Sequence, residues 1–597
     1  MPIRTVCDIF YHAVDTYRKA EHLRYKKDGS WRAISSDALR AAVEELSMGL
    51  RDLGVVKGDK VAILSENRPE WAFADLATLA LGAADAPIYS TLTPAQVLYI
   101  LNDSESKVLF VSNAAQAAKV AEVRSRAKHL QHVIRMDPLP IEGTLLIDEV
   151  RSRGRAALAK DKDAVRRRAA EVQPEDLATL IYTSGTTGDP KGVMLTHWNL
   201  VSNVLAAAKV VRGFGPDDVC LSFLPLCHSF ERTAGYNFML YVGATIAYAE
   251  SVEKVPENMG EIRPTVMGSV PRLYEKMYAR VNEKVANDPP FRQRIFRWAL
   301  GVGRRMFRHQ VERTPPGALL KLEFALADRL VFSKIKARTG GRLRVFVSGG
   351  APLAREIAEF FGAAGLLICE GYGLTETSPV ITCNRPDWIK PGTVGRPIDG
   401  VEVKIAADGE ILARGPNIMK GYFKKPEATA EVIDKDGWFH TGDIGVLDED
   451  GFLAITDRKK DILVTSGGKN IAPQPIESTL KTNTFFGEVV MIGNRRNFPA
   501  ALVVPNFESL EKWARAKGLS GTREELVKKP EVVALYQKLV QELTPDLAQF
   551  EKIKKITLLA HDFTIEAGEL TPTLKVKRRV VEEKYKSLID AMYQGAA

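Results

Sequence analysis

Short apolar runs and amphipathic stretches alternate through the first two-thirds of the chain. Val61-Ala62-Ile63-Leu64, Val108-Leu109-Phe110-Val111 and Val345-Phe346-Val347 each end in polar or glycine-rich turns. Continuous apolar runs bounded in this way predict buried parallel strands. Helical patterns such as residues 355–361 lie between them. Strands alternating with helices predict an α/β body whose ligands collect at the carboxyl ends of the strands. The pattern changes after about residue 390. Residues 401–405 and 410–414 flank Ala407-Asp408-Gly409, and residues 444–447 and 452–456 flank Asp448-Glu449-Asp450-Gly451. Asp-Gly tolerates positive φ, so both read as hairpins of an antiparallel β subdomain. The charged run Asp457-Arg458-Lys459-Lys460-Asp461 then marks a boundary. The expected organisation is a large body of stacked α/β sheets with the antiparallel subdomain over 1–456, followed by a small mobile α+β domain over 457–597. No repeat of 20–50 residues is present, which excludes solenoids and propellers.

Composition adds limits. With 597 residues, 45% hydrophobic and 26% charged, the chain is ordinary globular material. The net charge of +9 is mild for this length. It fits polyanionic small molecules or an acidic membrane surface better than nucleic acid, for which no reading helix or aromatic–basic stripe is evident. Five cysteines without a CxxC argue against a disulfide framework and a structural zinc site. The first twenty residues lack a signal-peptide layout, and the most apolar stretch, residues 71–89, contains Asp75 and Asp85. These features predict a cytoplasmic protein. Residues 291–311 form a basic amphipathic helix. Phe291, Ile295, Trp298, Val302 and Met306 share one face, and Arg294, Arg297, Arg304, Arg305 and Arg308 share the other. Such a helix either lies peripherally on an anionic membrane or docks on its own domain; the docked reading is favoured, because Gly301 and Gly303 weaken a free helix.

Candidate chemistry concentrates in Thr183-Ser184-Gly185-Thr186-Thr187-Gly188-Asp189-Pro190-Lys191-Gly192, which follows a predicted strand at 177–182. Glycines expose backbone N–H groups, hydroxyls add donors, and Lys191 adds positive charge, so the loop suits phosphate oxygens. It is not a Walker A loop, because glycine follows the lysine where Ser or Thr would be needed. A Ser/Gly linker is the bland alternative, made less apt by the Pro, the Lys and the apolar flanks.

This loop resembles the signature of the adenylate-forming superfamily of acyl-CoA synthetases, luciferases and adenylation domains. Further segments match in the expected order: 347–352, Gly371-Tyr372-Gly373-Leu374-Thr375-Glu376-Thr377, Thr441-Gly442-Asp443, 457–461 and 571–578. Residues 224–232, from Leu224 through His228 to Arg232, and 466–473 are similar to long-chain fatty acyl-CoA synthetases, as is the extended region around 280–340.

The resemblance implies ATP-dependent ligation of a fatty acid to coenzyme A through an acyl adenylate. It assigns Thr183, Ser184, Gly185, Thr186, Thr187, Gly188 and Lys191 to the β- and γ-phosphates of ATP, and Glu376 to Mg²⁺. Gly349, Gly350, Ala351, Pro352, Glu370, Gly371, Tyr372, Gly373 and Thr375 would surround adenine, with Tyr372 against its face. Asp443 and Arg458 would hold the ribose. Lys575 would reach the carboxylate and α-phosphate, with Lys577 the alternative. Lys460 would be the pivot of a domain rotation that brings Gly467 and Gly468 to the pantetheine path. His228 would gate the acyl and thiol paths, or else be a hydrogen-bonded core histidine. Residues 236–248 are apolar enough for an acyl-tunnel wall or an ordinary core. Two rivals remain: adenylation with delivery to a carrier protein in trans, and a catalytically silent nucleotide sensor at a membrane surface. The oligomeric state is not legible.

Overall fold

The computed structural model describes residues 2–138, 141–183, 190–466, 469–564, 567–571 and 576–594. Two large sheets dominate. One has eight strands in the order Gly421–Tyr422, Lys191–Thr196, Leu177–Thr183, Ala84–Ile88, Lys60–Leu64, Val108–Val111, His132–Arg135, Leu145–Leu146. The other has nine, in the order Arg396–Pro397, Val380–Cys383, Leu367–Gly373, Val345–Ser348, Val266–Ser269, Val219–Ser222, Thr245–Tyr248, Leu23–Lys27, Ser30–Ile34. The central strands of both are parallel. The predicted strands at 61–64, 108–111 and 345–347 and the helix at 355–361 are all present, the helix running Arg355–Ala363. Their continuous apolar runs are explained by burial on both faces: Val108, Leu109, Phe110 and Val111 are all inaccessible.

The predicted hairpins form a four-stranded antiparallel sheet, Glu402–Ile405, Glu410–Arg414, Phe439–Leu447 and Leu453–Arg458. Beyond it, Phe486–Ile492, Ala500–Pro505 and Lys555–Leu558 make a small sheet covered by helices. Its apolar core extends from Leu463 to Met592 and is separate from the cores of the larger lobe. The two lobes touch where Arg272 donates to the Gly487 carbonyl at 2.8 Å and pairs with Glu488 at 3.0 Å, and where Lys512 meets Glu283.

Between the two large sheets lies a dry ionic node. Arg232, Asp75 and Asp85 are fully inaccessible. The Arg232 guanidinium donates to Asp85 and Thr179 at 2.8 and 2.9 Å and also to Asp75, and it lies 5.5 Å from the Trp71 ring. Burial pushes the Asp75 carboxyl up. At Asp85 burial also opposes ionisation, but Arg232 outweighs it and holds the pKa down. The five cysteines are free thiols, all buried, and burial pushes each pKa up.

Two expectations change. The helix Pro290–Val311 docks from about Phe296 onward, where Phe296 packs on the core and Ala299, Val302, Gly303 and Phe307 are buried. A Cβ on Gly303 would sit 2.3 Å from the Ala363 carbonyl, so glycine permits the close crossing with Arg355–Ala363. In the first half Phe291 is 60% exposed, and Ile295 and Trp298 are exposed beside it. Tyr236, Phe238, Met239, Leu240 and Tyr248 are core residues packed between the sheets and do not line the main cavity, so the stretch 236–248 is not a tunnel wall. Among the described residues, no helix is long and apolar enough to cross a membrane.

Candidate active site

A cavity of about 2830 Å³ opens between the lobes. Six parallel strands, two from the eight-stranded sheet and four from the nine-stranded one, point their carboxyl ends at it, and residues that follow them line it. Ser65, Tyr89, Phe223, Ala249, Val270 and Gly350 are examples. This is the crevice that parallel α/β topology predicts for a ligand.

At one end the cavity is lined by Gly350, Ala351, Pro352, Glu370, Gly371, Tyr372, Gly373, Asp443, Arg458 and Lys460, all expected there from the sequence. The Tyr372 hydroxyl donates to Asp443 Oδ2 at 2.6 Å, and Arg458 Nε lies 3.3 Å from Asp443 Oδ1. Asp443 and Arg458 are cross-strand partners of the antiparallel sheet, so the pairing register itself brings them together. Glu370 is buried at the floor, and burial pushes its carboxyl up to about 8 in spite of the Gly392 and Leu353 N–H groups. Asp457, one residue before Arg458, is also buried. Its Oδ2 has no hydrogen-bond partner among the described residues, and burial pushes its pKa up to about 7.

A second cluster adjoins the first. Thr183 and Lys191 are paired across an antiparallel hairpin, so the phosphate-loop candidate joins two strands rather than a strand and a helix. Ser184, Gly185, Thr186, Thr187 and Gly188 lie outside the described residues. Lys191 Nζ sits 4.8 Å from the Tyr422 ring centroid, and the Tyr422 hydroxyl donates to Glu376 Oε1 at 2.9 Å. Burial pushes the Glu376 pKa up, and Arg458 and Lys191 both act in the opposite direction, which ties this cluster to the one around Asp443. Thr375 lies 3.4 Å from the Ser229 hydroxyl. Gly349, Thr183, Lys191, Thr375 and Glu376 flank the cavity rather than line it.

His228 lines the cavity, and its Nδ1 accepts the Phe230 N–H at 3.1 Å, so a neutral ring carries its proton on Nε2. Its segment is stapled to the other sheet by Asn67. That side chain donates to the Leu224 carbonyl at 2.7 Å and accepts the Leu226 N–H at 3.0 Å. Away from the Tyr372–Asp443 end apolar residues such as Val255, Met259, Met277, Val281, Phe296 and Ile335 line the walls, interspersed with Lys276, Arg280, Lys334 and Arg338. Lys575, Gly467 and Gly468 lie outside the described residues. On either side of Lys575, Leu570 and Val576 pair as a bridge, and Thr571, Val576 and Lys577 line the same cavity as Tyr372 and Asp443.

Sequence reasoning missed Asn67, Tyr422 and Arg232. Each acts across 46 or more residues of chain.

A family model described as AMP-binding enzyme matches residues 10–423, and one described as AMP-binding enzyme C-terminal domain matches residues 460–597. The chain is 38% identical over 573 residues to a Mycobacterium bovis protein named long-chain-fatty-acid–CoA ligase FadD15, covering 95% of this chain and 93% of that one. It is 35% identical over 599 residues to fatty acyl-CoA synthetase A of Dictyostelium discoideum, covering 95% and 86%. The adenylation domain of a carboxylate reductase from Mycobacterium chelonae superimposes with a TM-score of 0.76 at 23% identity, over 99% of this chain and 92% of that one, and so shares the fold.

Proposed function

This chain belongs to the AMP-binding enzyme family, and we propose that it works as a long-chain fatty acid–CoA ligase. ATP and coenzyme A are its co-substrates. The observation that carries the reading is one continuous cavity with a Tyr372–Asp443–Arg458 end and a long apolar wall. At about 2830 Å³ it exceeds a usual small-ligand pocket of roughly 300–1,000 Å³, as a nucleotide and an acyl chain together require.

In the first step a carboxylate oxygen attacks the α-phosphorus of ATP and pyrophosphate leaves. In the second, the thiol of coenzyme A attacks the acyl carbon and AMP leaves. The first step brings negative charge toward negative charge, so fixed donors and cations lower its barrier. Lys191, with the loop from Thr183, would hold the terminal phosphates, and Asp443 and Arg458 the ribose hydroxyls. Lys575 would bridge the carboxylate and the α-phosphate. Residues 457–597 would then rotate about Lys460, withdrawing Lys575 and presenting Gly467 and Gly468 to the pantetheine arm. Glu376 fits magnesium arriving on the triphosphate. It offers a hard oxygen at a protein-lined position, and a Mg²⁺ ion on phosphates needs only one or two protein carboxylates. Magnesium bound there neutralises charge developing on the leaving pyrophosphate.

Fatty-acid-dependent ATP–pyrophosphate exchange, repeated with coenzyme A to detect thioester, tests the reading. Exchange without thioester points to a carrier acceptor, and no exchange with any fatty acid overturns it. Lys575→Ala is expected to abolish exchange while thioester formation from supplied acyl adenylate persists; equal loss of both removes the role given to Lys575.

The same reading places the protein against an anionic bilayer. Leu319, Leu322, Leu326 and Leu330 recur on one helical face and are exposed, Leu319 and Leu322 by 72% and 70%. Phe291, Ile295 and Trp298 are exposed as well, on the same helix as Arg294, Arg297 and Arg304. An apolar face with a basic rim suits the headgroup boundary of such a membrane. Phe291, Ile295 and Leu330 also line the cavity, so an acyl chain would pass from the lipid directly to its apolar wall. Co-sedimentation with phosphatidylcholine vesicles containing phosphatidylglycerol should show binding that Leu319→Ser with Leu322→Ser abolishes. Binding that is absent, or unchanged in the double variant, rejects the contact.

A further inference from the structure

Asp443 reaches the cavity from a stretch of strand where the antiparallel ladder is interrupted. The pairing of Glu410–Arg414 with Phe439–Leu447 shifts between Glu410 and Leu412, and that of Phe439–Leu447 with Leu453–Arg458 shifts between Ile444 and Gly445. Within the interruption Gly442 has φ +72°, a conformation that side chains other than glycine rarely adopt. A backbone turned in this way needs partners for its own polar groups. The Gly442 carbonyl accepts the Lys459 backbone N–H at 2.9 Å. The Gly442 N–H is taken by a side chain, donating to Glu410 Oε1 at 2.9 Å.

Glu410 belongs to none of the segments that carry the family resemblance, yet its surroundings are built around its charge. The residue is 6% exposed. Its second oxygen accepts Lys459 Nζ at 3.0 Å and faces His440 Nδ1 at 3.2 Å, and Lys459 is shared with Asp408 at 2.6 Å. A buried carboxylate without partners would be strongly destabilising; this one has three. Together these contacts hold Gly442, the residue before Asp443, by its N–H to a carboxylate on a neighbouring strand and by its carbonyl to the backbone of the residue after Arg458.

We infer that Glu410 is a positioning residue for nucleotide selection: by fixing the Gly442 peptide it holds the Asp443 carboxylate where it can accept from the ribose hydroxyls. The inference rests on the ribose role given to Asp443 and adds to it the residue that sets its aim. Tyr372 fixes one Asp443 oxygen from the side chain; Glu410 fixes the main chain from which that side chain springs.

The test measures pyrophosphate exchange by the full-length enzyme with a saturating long-chain fatty acid, using ATP, 2′-deoxy-ATP and 3′-deoxy-ATP. The wild type should prefer ATP to both deoxy analogues. Glu410→Ala should raise KM for ATP by about 10- to 100-fold, the size of effect expected for a lost buried charged hydrogen bond. Its kcat and its KM for fatty acid should change little, and the preference for ATP over the deoxy analogues should largely disappear. Glu410→Gln keeps the shape but has one acceptor oxygen for the donors that two now serve, so it should narrow the preference partially. It also serves as the deciding variant if the alanine protein does not fold. A merely structural residue would weaken ATP and its deoxy analogues in equal proportion; that outcome, or an unchanged preference in Glu410→Gln, overturns the inference. Asp443→Ala separates the two layers. If it keeps the wild-type preference, the ribose role of Asp443 fails. If it loses the preference while both Glu410 variants keep it, only the role of Glu410 fails.

Discussion

Two arginine–carboxylate clusters sit in this molecule under opposite conditions. Arg232 with Asp75 and Asp85 is sealed between the large sheets, wholly inaccessible, with Thr179 accepting a further hydrogen bond from the guanidinium. Arg458 with Asp443 is assembled at the cavity wall, where the arginine side chain is 46% exposed and the pair is 3.3 Å apart. In the first, desolvation is severe and each charge depends on the others remaining. In the second the Asp443 side chain is only 7% exposed, but the arginine reaches water, so the pair is partly screened and both groups face the cavity. Similar residue types therefore sit in different settings: the sealed cluster is closed to any ligand, and the open one faces the cavity.

The contrast is sharpest in stability. Arg232→Met leaves two buried carboxyls facing one another and should destabilise the larger lobe by about 3–5 kcal/mol, read as a lower denaturation midpoint. A loss under about 1 kcal/mol would show that the node does not hold the sheets together. Arg458→Met should leave that midpoint nearly unchanged but lower kcat/KM for ATP by about tenfold or more, corresponding to a lost charged hydrogen bond; equal effects on both quantities would erase the distinction. Tyr422→Phe removes the donor to Glu376 Oε1 and should lower the exchange rate by about three- to tenfold, with a higher magnesium requirement. A rate loss that excess magnesium cannot offset would place the tyrosine elsewhere in the mechanism.

A further effect depends on pH. The folded chain holds the Asp457 proton up to about 7, against an ordinary value of 3.8. Its stabilising contribution is complete below the unfolded value and is lost as pH rises through the folded one. Asp457→Asn escapes that loss, so its melting temperature relative to wild type should be higher at pH 8 than at pH 5. A difference that is flat across this range would mean that the carboxyl is already ionised at pH 5.

Much of this arrangement is legible locally. A strand buried on both faces leaves a continuous apolar run, which is why 61–64, 108–111 and 345–347 are visible as strands. Asp-Gly turns expose the hairpins of the subdomain for the same kind of reason. Tyr372, Asp443 and Arg458 converge because each sits inside a short, ordered signature. What stays hidden are partners whose role exists only across the fold. Nothing adjacent to Glu410 says that Gly442 lacks a ladder partner, and nothing near Asn67 says that it staples residues 224–226. Apolar composition is equally silent about what an apolar side chain faces. The stretch 236–248 fills the core, and the helix Pro290–Val311 keeps Phe291, Ile295 and Trp298 outside.

The depth of the five thiols bears on handling an acceptor that is itself a thiol. Even Cys227, next to His228 and at the cavity wall, is 3% exposed, and burial disfavours its thiolate. No sulfur of the folded chain is presented for mixed-disulfide exchange with coenzyme A, so the cofactor cannot be diverted onto the enzyme that consumes it. A maleimide dye would accordingly remain unreacted until the larger lobe itself opens, and its uptake would serve as a clock for that opening.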